Sequence, residues 1–250
     1  MNIAIVTGAS SGLGREFVVQ LDKEVKFDQI WIIARREQRL KELVQKLRTK
    51  TVYIKADLTV EKDINIIINK IKKERPNIRI LVNSAGYGKS GYFHNSDIDE
   101  QLGMVNLNIK ALVKLTYECL PFMSKGAKIV QVASMASYFA IPGSAVYSAS
   151  KAFVLSFSNA LNAELKGKGI HSIAVCPGKV ATEFFDRSGM EINPKTCYTS
   201  KCVVDLAIKD TKKNKWVSIQ GAKMKFARII ARLLSKRAAT RLISIFKRLS

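Results

Sequence analysis

Three side chains near the middle of the chain have the types and spacing that proton transfer requires. Tyr147 and Lys151 are four residues apart, so a helix would place them on one face. A neighbouring ammonium lowers the pKa of a phenol from about 10, and the tyrosine could then exchange a proton with an alcohol or alkoxide. Ser134, at the end of a predicted strand, could hydrogen-bond the substrate oxygen. Tyrosine and lysine at this spacing are common on helices, so the pair indicates catalysis only together with Ser134 and a cofactor site.

A glycine-rich loop near the amino terminus provides the candidate cofactor site. Residues 7–14 read Thr-Gly-Ala-Ser-Ser-Gly-Leu-Gly and lie between an apolar run and a helical pattern. Glycine allows positive φ and a close approach of backbone to phosphate, and a helix amino end offers free N–H groups to a pyrophosphate. An ordinary strand–helix turn could contain the same glycines. The strand before the loop and the helix after it favour a dinucleotide site.

The elements that would hold these residues alternate between strand and helix. The strand patterns are continuously apolar, which is typical of parallel strands buried on both faces. We therefore expect an α/β fold, a Rossmann-like doubly wound parallel sheet flanked by helices, with ligands beyond the carboxyl ends of the strands. The predicted strands are 3–6, 30–33, 52–54, 78–82, 128–132 and 171–175. The predicted helices are 12–21, 36–47, 60–71, 98–123 and 147–165.

Composition favours a single domain over residues 1–250. The chain is 47% hydrophobic and has no Gly/Ser-rich linker or repeat. Its four cysteines form no C-x-x-C pair, so we expect no metal site and a reducing, cytoplasmic environment. We also expect no signal peptide and no membrane-spanning segment. The formal net charge of +22 is concentrated at the end of the chain, where residues 211–250 contain no acidic residue.

Together these motifs resemble the short-chain dehydrogenase/reductase family over about residues 2–182. The likeness departs from the family pattern at Ser84, where an asparagine is usual. The motifs that carry it are the glycine loop, Asp57, Asn83-Ser84-Ala85-Gly86, Asn106, Ser134, Tyr147, Lys151 and Pro177-Gly178.

The resemblance implies a role for each matching residue. Ser134 would hold the substrate oxygen, Tyr147 would transfer the proton, and Lys151 would lower the tyrosine pKa and bind the nicotinamide ribose. Asn106 would hold a water of the proton relay, although a buried polar residue that satisfies backbone groups is a serious alternative. The implied cofactor residues are Gly8, Ser10, Ser11, Gly12, Leu13 and Gly14 in the loop, Arg35, Arg36, Asp57 and Leu58 around the adenosine, Asn83, Ala85, Gly86, Tyr147 and Lys151 around the nicotinamide ribose, and Pro177, Gly178, Val180 and Thr182 beside the nicotinamide.

The end of the second predicted strand indicates which cofactor is preferred. Folds of this kind that prefer NAD place a carboxylate there, against the ribose 2′-hydroxyl. This chain has Arg35 and Arg36 instead, and Arg15 follows the glycine loop. Guanidinium groups suit a phosphate, so we expect NADP(H) to be preferred over NAD(H). The alternative is that Arg35 and Arg36 only begin a solvated helix.

Two segments after the last predicted strand bear on substrate and partners. Residues 183–197 resemble a variable substrate lid, and Phe184, Phe185 and Met190 within it suggest an apolar substrate. Residues 222–250 form a basic, amphipathic helical pattern, in which Phe226, Ile229, Ile230, Leu233 and Leu234 share one face and Leu242, Ile245, Phe246 and Leu249 repeat the pattern. Such a tail either packs on its own domain or a partner subunit, which we favour, or contacts a membrane surface. No nucleic-acid recognition motif is present.

The sequence therefore predicts an NADP(H)-dependent oxidoreductase that interconverts a carbonyl and an alcohol, with Tyr147 as general acid and base. The family resemblance implies a homodimer or homotetramer formed through helices 98–123 and 147–165. The alternative is a non-catalytic protein of the same fold that senses nucleotides or associates with membranes. The presence of Ser134, Tyr147 and Lys151 disfavours that alternative, because a sensor needs no complete catalytic set.

Overall fold

Seven strands form one parallel sheet in the computed structural model, which describes residues 1–24, 26–189 and 196–249. The strand order is β3-β2-β1-β4-β5-β6-β7. The chain thus moves outward from the central β1 to β3, then returns to place β4 on the other side of β1. The strands are β1 (Asn2–Thr7), β2 (Gln29–Ala34), β3 (Thr51–Lys55), β4 (Asn77–Asn83), β5 (Lys128–Val132), β6 (His171–Val175) and β7 (Val217–Ser218).

Helices cover both faces of this sheet because its strands are apolar on both sides. Ile3 and Ile5 of β1 belong to one buried cluster, whereas Ala4 and Val6 belong to the cluster on the opposite face. The helices are α1 (Gly12–Glu24), α2 (Glu37–Val44), α3 (Glu61–Glu74), α4 (Ile98–Val105), α5 (Leu112–Cys119), α6 (Ala145–Glu164), α7 (Phe184–Ser188), α8 (Ser200–Lys212), α9 (Ala222–Leu233) and α10 (Lys236–Leu249).

The strand order fixes the position of a ligand cleft. Connections from β1 and β4 leave the sheet in opposite directions, which opens a crevice beyond the carboxyl ends of these two strands. The register pairs Val6 of β1 with Val82 of β4, so both strands end at the same level. The glycine loop and the segment after Asn83 therefore meet at this crevice.

The predicted doubly wound fold is confirmed, with differences in individual elements. All six predicted strands form, and β7 adds a two-residue strand that is too short to give a sequence pattern. The long helix predicted over residues 98–123 is divided, because residues 106–111 form a π-helical turn between α4 and α5. No helix of the described part of the chain is long and apolar enough to cross a membrane.

Candidate active site

The glycine loop is held against the end of β4 by contacts that only glycine permits. Gly8 has φ 68°, and a Cβ at this position would lie 2.9 Å from the backbone of Ala85. A Cβ on Gly14 would overlap the Gly8 carbonyl oxygen. The Thr7 hydroxyl oxygen accepts hydrogen bonds from the backbone N–H groups of Ser84 at 3.0 Å and Ala85 at 3.1 Å. These contacts leave the loop's outer surface and the start of α1 facing the crevice.

The crevice is a cleft of about 1590 Å³, larger than the roughly 300–1,000 Å³ of ordinary small-ligand sites. A dinucleotide and a small substrate together need such a volume. With two exceptions, Asn83 and Asn106, every residue predicted for catalysis or cofactor binding lines it. Arg15 is exposed on α1 and is not among the lining residues. In the described ranges, no cluster of three or more His, Cys, Asp or Glu side chains could hold a metal ion.

Ser134, Tyr147 and Lys151 meet on the floor of this cleft. Tyr147 and Lys151 lie on the same face of α6, with Lys151 Nζ 5.9 Å from the centroid of the tyrosine ring. The Tyr147 hydroxyl lies close enough to Ser134, at the end of β5, for Ser134 to lower the tyrosine pKa. The Lys151 ammonium donates to the Val132 carbonyl oxygen at 2.8 Å. The predicted grouping of three side chains is therefore present.

The pKa values in this group differ from the sequence-based expectation. Burial raises the pKa of Tyr147 to about 12, and the nearby Ser134 side chain only partly offsets this rise. Burial also lowers the pKa of Lys151 to about 8. The predicted lowering of the tyrosine pKa by the ammonium is not found, because Lys151 is directed to the Val132 carbonyl and desolvation dominates. The phenol is therefore protonated at neutral pH.

The prediction for Asn106 is wrong as to position. Asn106 is exposed, whereas Asn108 is buried two residues later in the π-helical turn. Asn108 Nδ2 donates to the Tyr87 carbonyl oxygen at 3.0 Å and to the Ser150 hydroxyl at 3.1 Å, and its Oδ1 accepts from the Tyr87 N–H at 3.1 Å. Extra residues in a π-turn often direct a side chain towards a functional site.

Helix periodicity was the signal that identifies Asn108. Met104, Asn108, Leu112 and Leu115 follow one another at intervals of three or four residues, and all are buried. Asn106 lies off this face. A count of the apolar positions on the predicted helix would have assigned the inward-facing asparagine correctly.

Asn83 also differs from its predicted place beside the nicotinamide ribose. Its side chain is buried away from the cleft, where Nδ2 donates to the Thr116 hydroxyl at 2.9 Å and to Gln131 Oε1 at 3.0 Å. Residues two apart on a strand share a face, and Leu81 belongs to the cluster that packs against α5. Asn83 therefore connects β4, β5 and α5, while Ala85 and Gly86 line the cleft.

The two predicted arginines lie at the adenosine end of the cleft. Arg36 donates to the hydroxyl oxygens of Ser10 at 3.2 Å and Ser11 at 2.7 Å, so its guanidinium faces the glycine loop. Arg35 pairs with Asp57 at 3.3 Å. Burial alone would raise the pKa of Asp57, but hydrogen bonds from Thr59 and the charge of Arg35 lower it.

Glu183 is a residue of this region that the sequence did not indicate. Its carboxylate pairs with Arg36 at 2.6 Å and also pairs with Arg39 of α2. Hydrogen bonds from Arg36 and Arg39 lower the pKa of Glu183. Glu183 begins the predicted lid, so the ion pairs connect the lid to the arginines beside the glycine loop.

The first part of the predicted lid covers the tyrosine. The ring of Phe184 lies 5.5 Å from that of Tyr147, and Phe185 packs edge-on against Phe184. Thr182, predicted to lie beside the nicotinamide, lines the cleft, and its hydroxyl accepts from the Phe184 N–H at 3.4 Å. Met190 lies outside the described residues.

Comparisons with known proteins agree with this architecture. The family model described as short chain dehydrogenase matches residues 2–192. Sulfoacetaldehyde reductase 2 from Chromohalobacter salexigens is 34% identical over 192 residues, 73% of this chain and 74% of that protein. A short-chain dehydrogenase from Sphingobium yanoikuyae, solved in complex with NADPH, has a TM-score of 0.81 and 27% identity over 93% of this chain and 94% of that one. A short-chain dehydrogenase/reductase from Burkholderia phymatum in complex with NAD, 18% identical, shares the fold with a TM-score of 0.81 over 91% of each chain.

The family match covers most of the chain, including the glycine loop and the Ser134, Tyr147 and Lys151 group. The fold of this family binds nicotinamide cofactors, and structures similar to this chain contain either NADPH or NAD. The chain therefore belongs to the short-chain dehydrogenase/reductase family and is an oxidoreductase of that type.

Proposed function

We propose that this protein interconverts a carbonyl and an alcohol with NADP(H) as cofactor and Tyr147 as the proton-transfer residue. The observation that carries the proposal is that Ser134, Tyr147 and Lys151 together line a cleft that begins at the glycine loop. A hydroxyl pair of this kind can hold one oxygen atom between two hydrogen-bonding groups. Lys151 on the same helix face completes the group.

The residues present fit a dinucleotide. The tight Gly8 and Gly14 contacts keep side chains out of the space beside the loop, and the amino end of α1 offers N–H groups to a pyrophosphate. When bound, the nicotinamide supplies or accepts the hydride. Pro177, Gly178 and Val180 would border that ring, and Lys151 would bind its ribose hydroxyls.

Tyr147 is suited to donate a proton. Its pKa of about 12 keeps the phenol protonated at neutral pH, so the oxygen of a carbonyl undergoing reduction can receive that proton. Ser134 would hold the same oxygen. Asn108 would contribute to the reaction indirectly. Its hydrogen bonds to the Tyr87 backbone and the Ser150 hydroxyl hold the part of the cleft wall that lies beside Tyr147.

The preference for NADP(H) rests on Arg36. Its guanidinium and the hydroxyls of Ser10 and Ser11 form a group of donors that suits a 2′-phosphate, and Arg35 lies next to it on the cleft wall. No acidic residue ends β2, where a carboxylate would bond a free 2′-hydroxyl. The Sphingobium yanoikuyae structure, which is similar to this chain and contains NADPH, supports the assignment.

The proposed substrate is apolar, and the proposed assembly is a homo-oligomer. Phe184 and Phe185 cover Tyr147 with an apolar surface at the substrate end of the cleft.

Exposed apolar side chains on the helices expected at the subunit contact support the proposed homo-oligomer. They are Ile98, Leu102 and Val105 on α4, Tyr117 on α5 and Phe153 on α6.

The decisive experiment combines cofactor titration with turnover. We expect NADPH to bind more tightly than NADH by nicotinamide fluorescence, and a panel of apolar ketones and aldehydes to be reduced. Tyr147→Phe should abolish turnover and leave NADPH affinity nearly unchanged, because the glycine loop, Arg36 and Lys151 would supply most of the contacts to the cofactor. Substantial turnover by Tyr147→Phe would refute the proposed acid, and failure of the folded protein to bind either cofactor would refute the proposal as a whole.

A further inference from the structure

An apolar stripe on α9 faces away from the protein. Phe226 is 64% exposed, Ile229 53% and Leu233 77%. At 3.6 residues per turn, these three positions fall within an arc of about 60° on the helix surface. The sequence favours packing of this face on its own domain or on a partner subunit, and these three side chains do not pack on their own domain. We call Phe226, Ile229 and Leu233 the outer stripe.

The opposite face of α9 is attached to the active-site cleft. Met224 and Ala227 pack against the buried cluster that includes Met135 and Cys176, and the Arg228 guanidinium lies 5.8 Å from the centroid of the Tyr138 ring. Ala222, Lys223 and Met224 also line the cleft itself. One face of α9 thus forms part of the cleft wall while the outer stripe faces solvent.

The charge around the outer stripe limits what can cover it. Residues 211–250 contain twelve lysines and arginines and no acidic residue. The exposed side chains of Lys223 on one side and Lys225 and Arg232 on the other flank the stripe. A second copy placed symmetrically on this face would bring two such regions together, and their repulsion disfavours it. A surface with negative charge and an apolar interior complements both features.

We propose that the outer stripe docks on an anionic lipid bilayer, and that the cleft beside it takes an apolar carbonyl or alcohol from the lipid phase. The outer stripe enters the interface, while Lys223, Lys225 and Arg232 contact lipid phosphate groups. Docking brings the wall formed by residues 222–224 close to the bilayer surface. The substrate part of this inference rests on the proposed carbonyl–alcohol function, whereas the docking part does not.

Vesicle flotation of the full chain tests the docking directly. At low salt, we expect the protein to float with vesicles that contain phosphatidylglycerol and to remain in solution with vesicles of phosphatidylcholine alone. Binding should weaken as salt screens the attraction. Ile229→Ser should weaken binding by about tenfold, because a large apolar side chain no longer enters the interface. The double variant Phe226→Ser/Leu233→Ser should lose detectable binding.

A matched control variant is available on α3. Ile66 is 50% exposed on that helix, so Ile66→Ser makes the same change at nearly the same exposure. It should bind vesicles as the original chain does. Equal weakening by Ile66→Ser and Ile229→Ser would overturn the proposal, as would binding that ignores lipid charge or is absent at low salt. A shift to a smaller assembly in Ile229→Ser without lipid binding by the original chain would identify a second copy as the occupant instead.

Failure of docking and failure of the enzymatic proposal are separable. Reduction of a water-soluble ketone with NADPH in the absence of vesicles reports only on the cleft, and the stripe variants should retain it. If docking holds, anionic vesicles should increase the rate with a long-chain ketone several-fold for the original chain and not for Phe226→Ser/Leu233→Ser. Equal rates in both proteins would overturn the lipid-phase substrate.

Discussion

The carboxylate of Glu183 should oppose the binding of NADPH. It pairs with Arg36 at 2.6 Å and also with Arg39, while Arg36 donates to Ser10 and Ser11. A 2′-phosphate that uses the Arg36 guanidinium must therefore displace or repel this carboxylate. Glu183→Gln removes the negative charge and keeps the shape of the side chain, so the arginines become available at little structural cost.

The size of the effect follows from the exposure of the two ion pairs. Exposed ion pairs contribute about 0.2–1 kcal/mol each to stability, and the side chains of Arg36, Arg39 and Glu183 are each nearly half exposed. Loss of the two pairs lowers the free energy needed to free the arginines by about 1 kcal/mol. Since about 1.4 kcal/mol corresponds to tenfold in affinity, NADPH should bind about fivefold more tightly to Glu183→Gln. NADH has no 2′-phosphate, so its affinity should be unchanged.

Fluorescence titration with both cofactors measures this difference. Glu37→Gln is the matched control, because the Glu37 carboxylate pairs with Lys41 and Lys55 rather than with the Arg36 guanidinium. It should change neither affinity. Weaker NADPH binding by Glu183→Gln would mean that the carboxylate positions Arg36 for the phosphate. An equal gain for NADH would show that Glu183 acts on the lid rather than on the phosphate site, and either result would refute the competition.

Further predictions concern the floor and wall of the cleft. Tyr147→Phe should lower turnover by at least about 100-fold, measured as NADPH oxidation with a saturating ketone. Lys151→Met should abolish turnover yet raise the free energy of unfolding in urea by about 1–2 kcal/mol at pH 7. The lowered pKa of Lys151 means that the buried ammonium destabilises the folded state at this pH. This destabilisation disappears only as the pH rises from about 8, the pKa in the folded state, to about 10.5, the pKa in the unfolded state. Because Lys151 loses its positive charge above its pKa of about 8, kcat for reduction should fall as pH rises through that value. A kcat that stays unchanged up to pH 10 would exclude a role for the charged form of Lys151. Asn108→Ala should cost about 1–3 kcal/mol of stability by removing three buried hydrogen bonds, two to the Tyr87 backbone and one to the Ser150 hydroxyl. Asn106→Ala at an exposed position should stay within about 0.5 kcal/mol.

Local patterns were sufficient to predict the fold and most of the cleft. Continuous apolar runs identify strands buried on both faces, and β5, predicted over residues 128–132, forms over those residues. Tyr147 and Lys151 were predictable together because four residues on a helix determine their relation. The glycine loop was predictable because its conformation depends on its own backbone and on one neighbouring strand.

The predictions for Asn83 and Asn106 were wrong because the resemblance assigned a role to each residue without considering which way its side chain points. Asn83 ends β4 on the same face as Leu81, so strand alternation directs it into the protein and away from the cleft. Asn106 lies off the buried face of its helix, and the π-helical turn that carries Asn108 has no sequence pattern of its own. Both asparagines were assigned by resemblance, whereas residue periodicity contained the information needed to correct them.

Other features depend on contacts that no local pattern describes. The Arg36–Glu183 pair joins residues 147 positions apart, and the two come together only because α2 and the lid both border the adenosine end of the cleft. The exposure of the outer stripe is also a tertiary property. Amphipathic periodicity on α9 shows that an apolar face exists, but the contacts of Met224 and Ala227 decide that a different face is buried.

The electrostatic state of the cleft follows from one physical cause, desolvation, which acts in opposite directions on an acid and a base. It raises the pKa of Tyr147 to about 12 and lowers that of Lys151 to about 8, so both groups are driven towards their neutral forms. A protonated phenol beside Ser134 is already the proton donor that carbonyl reduction requires. A phenolate, which alcohol oxidation would require as a base, is strongly disfavoured while the Lys151 ammonium is held by the Val132 carbonyl. For the proposed reaction, we therefore expect reduction to be faster than oxidation at neutral pH.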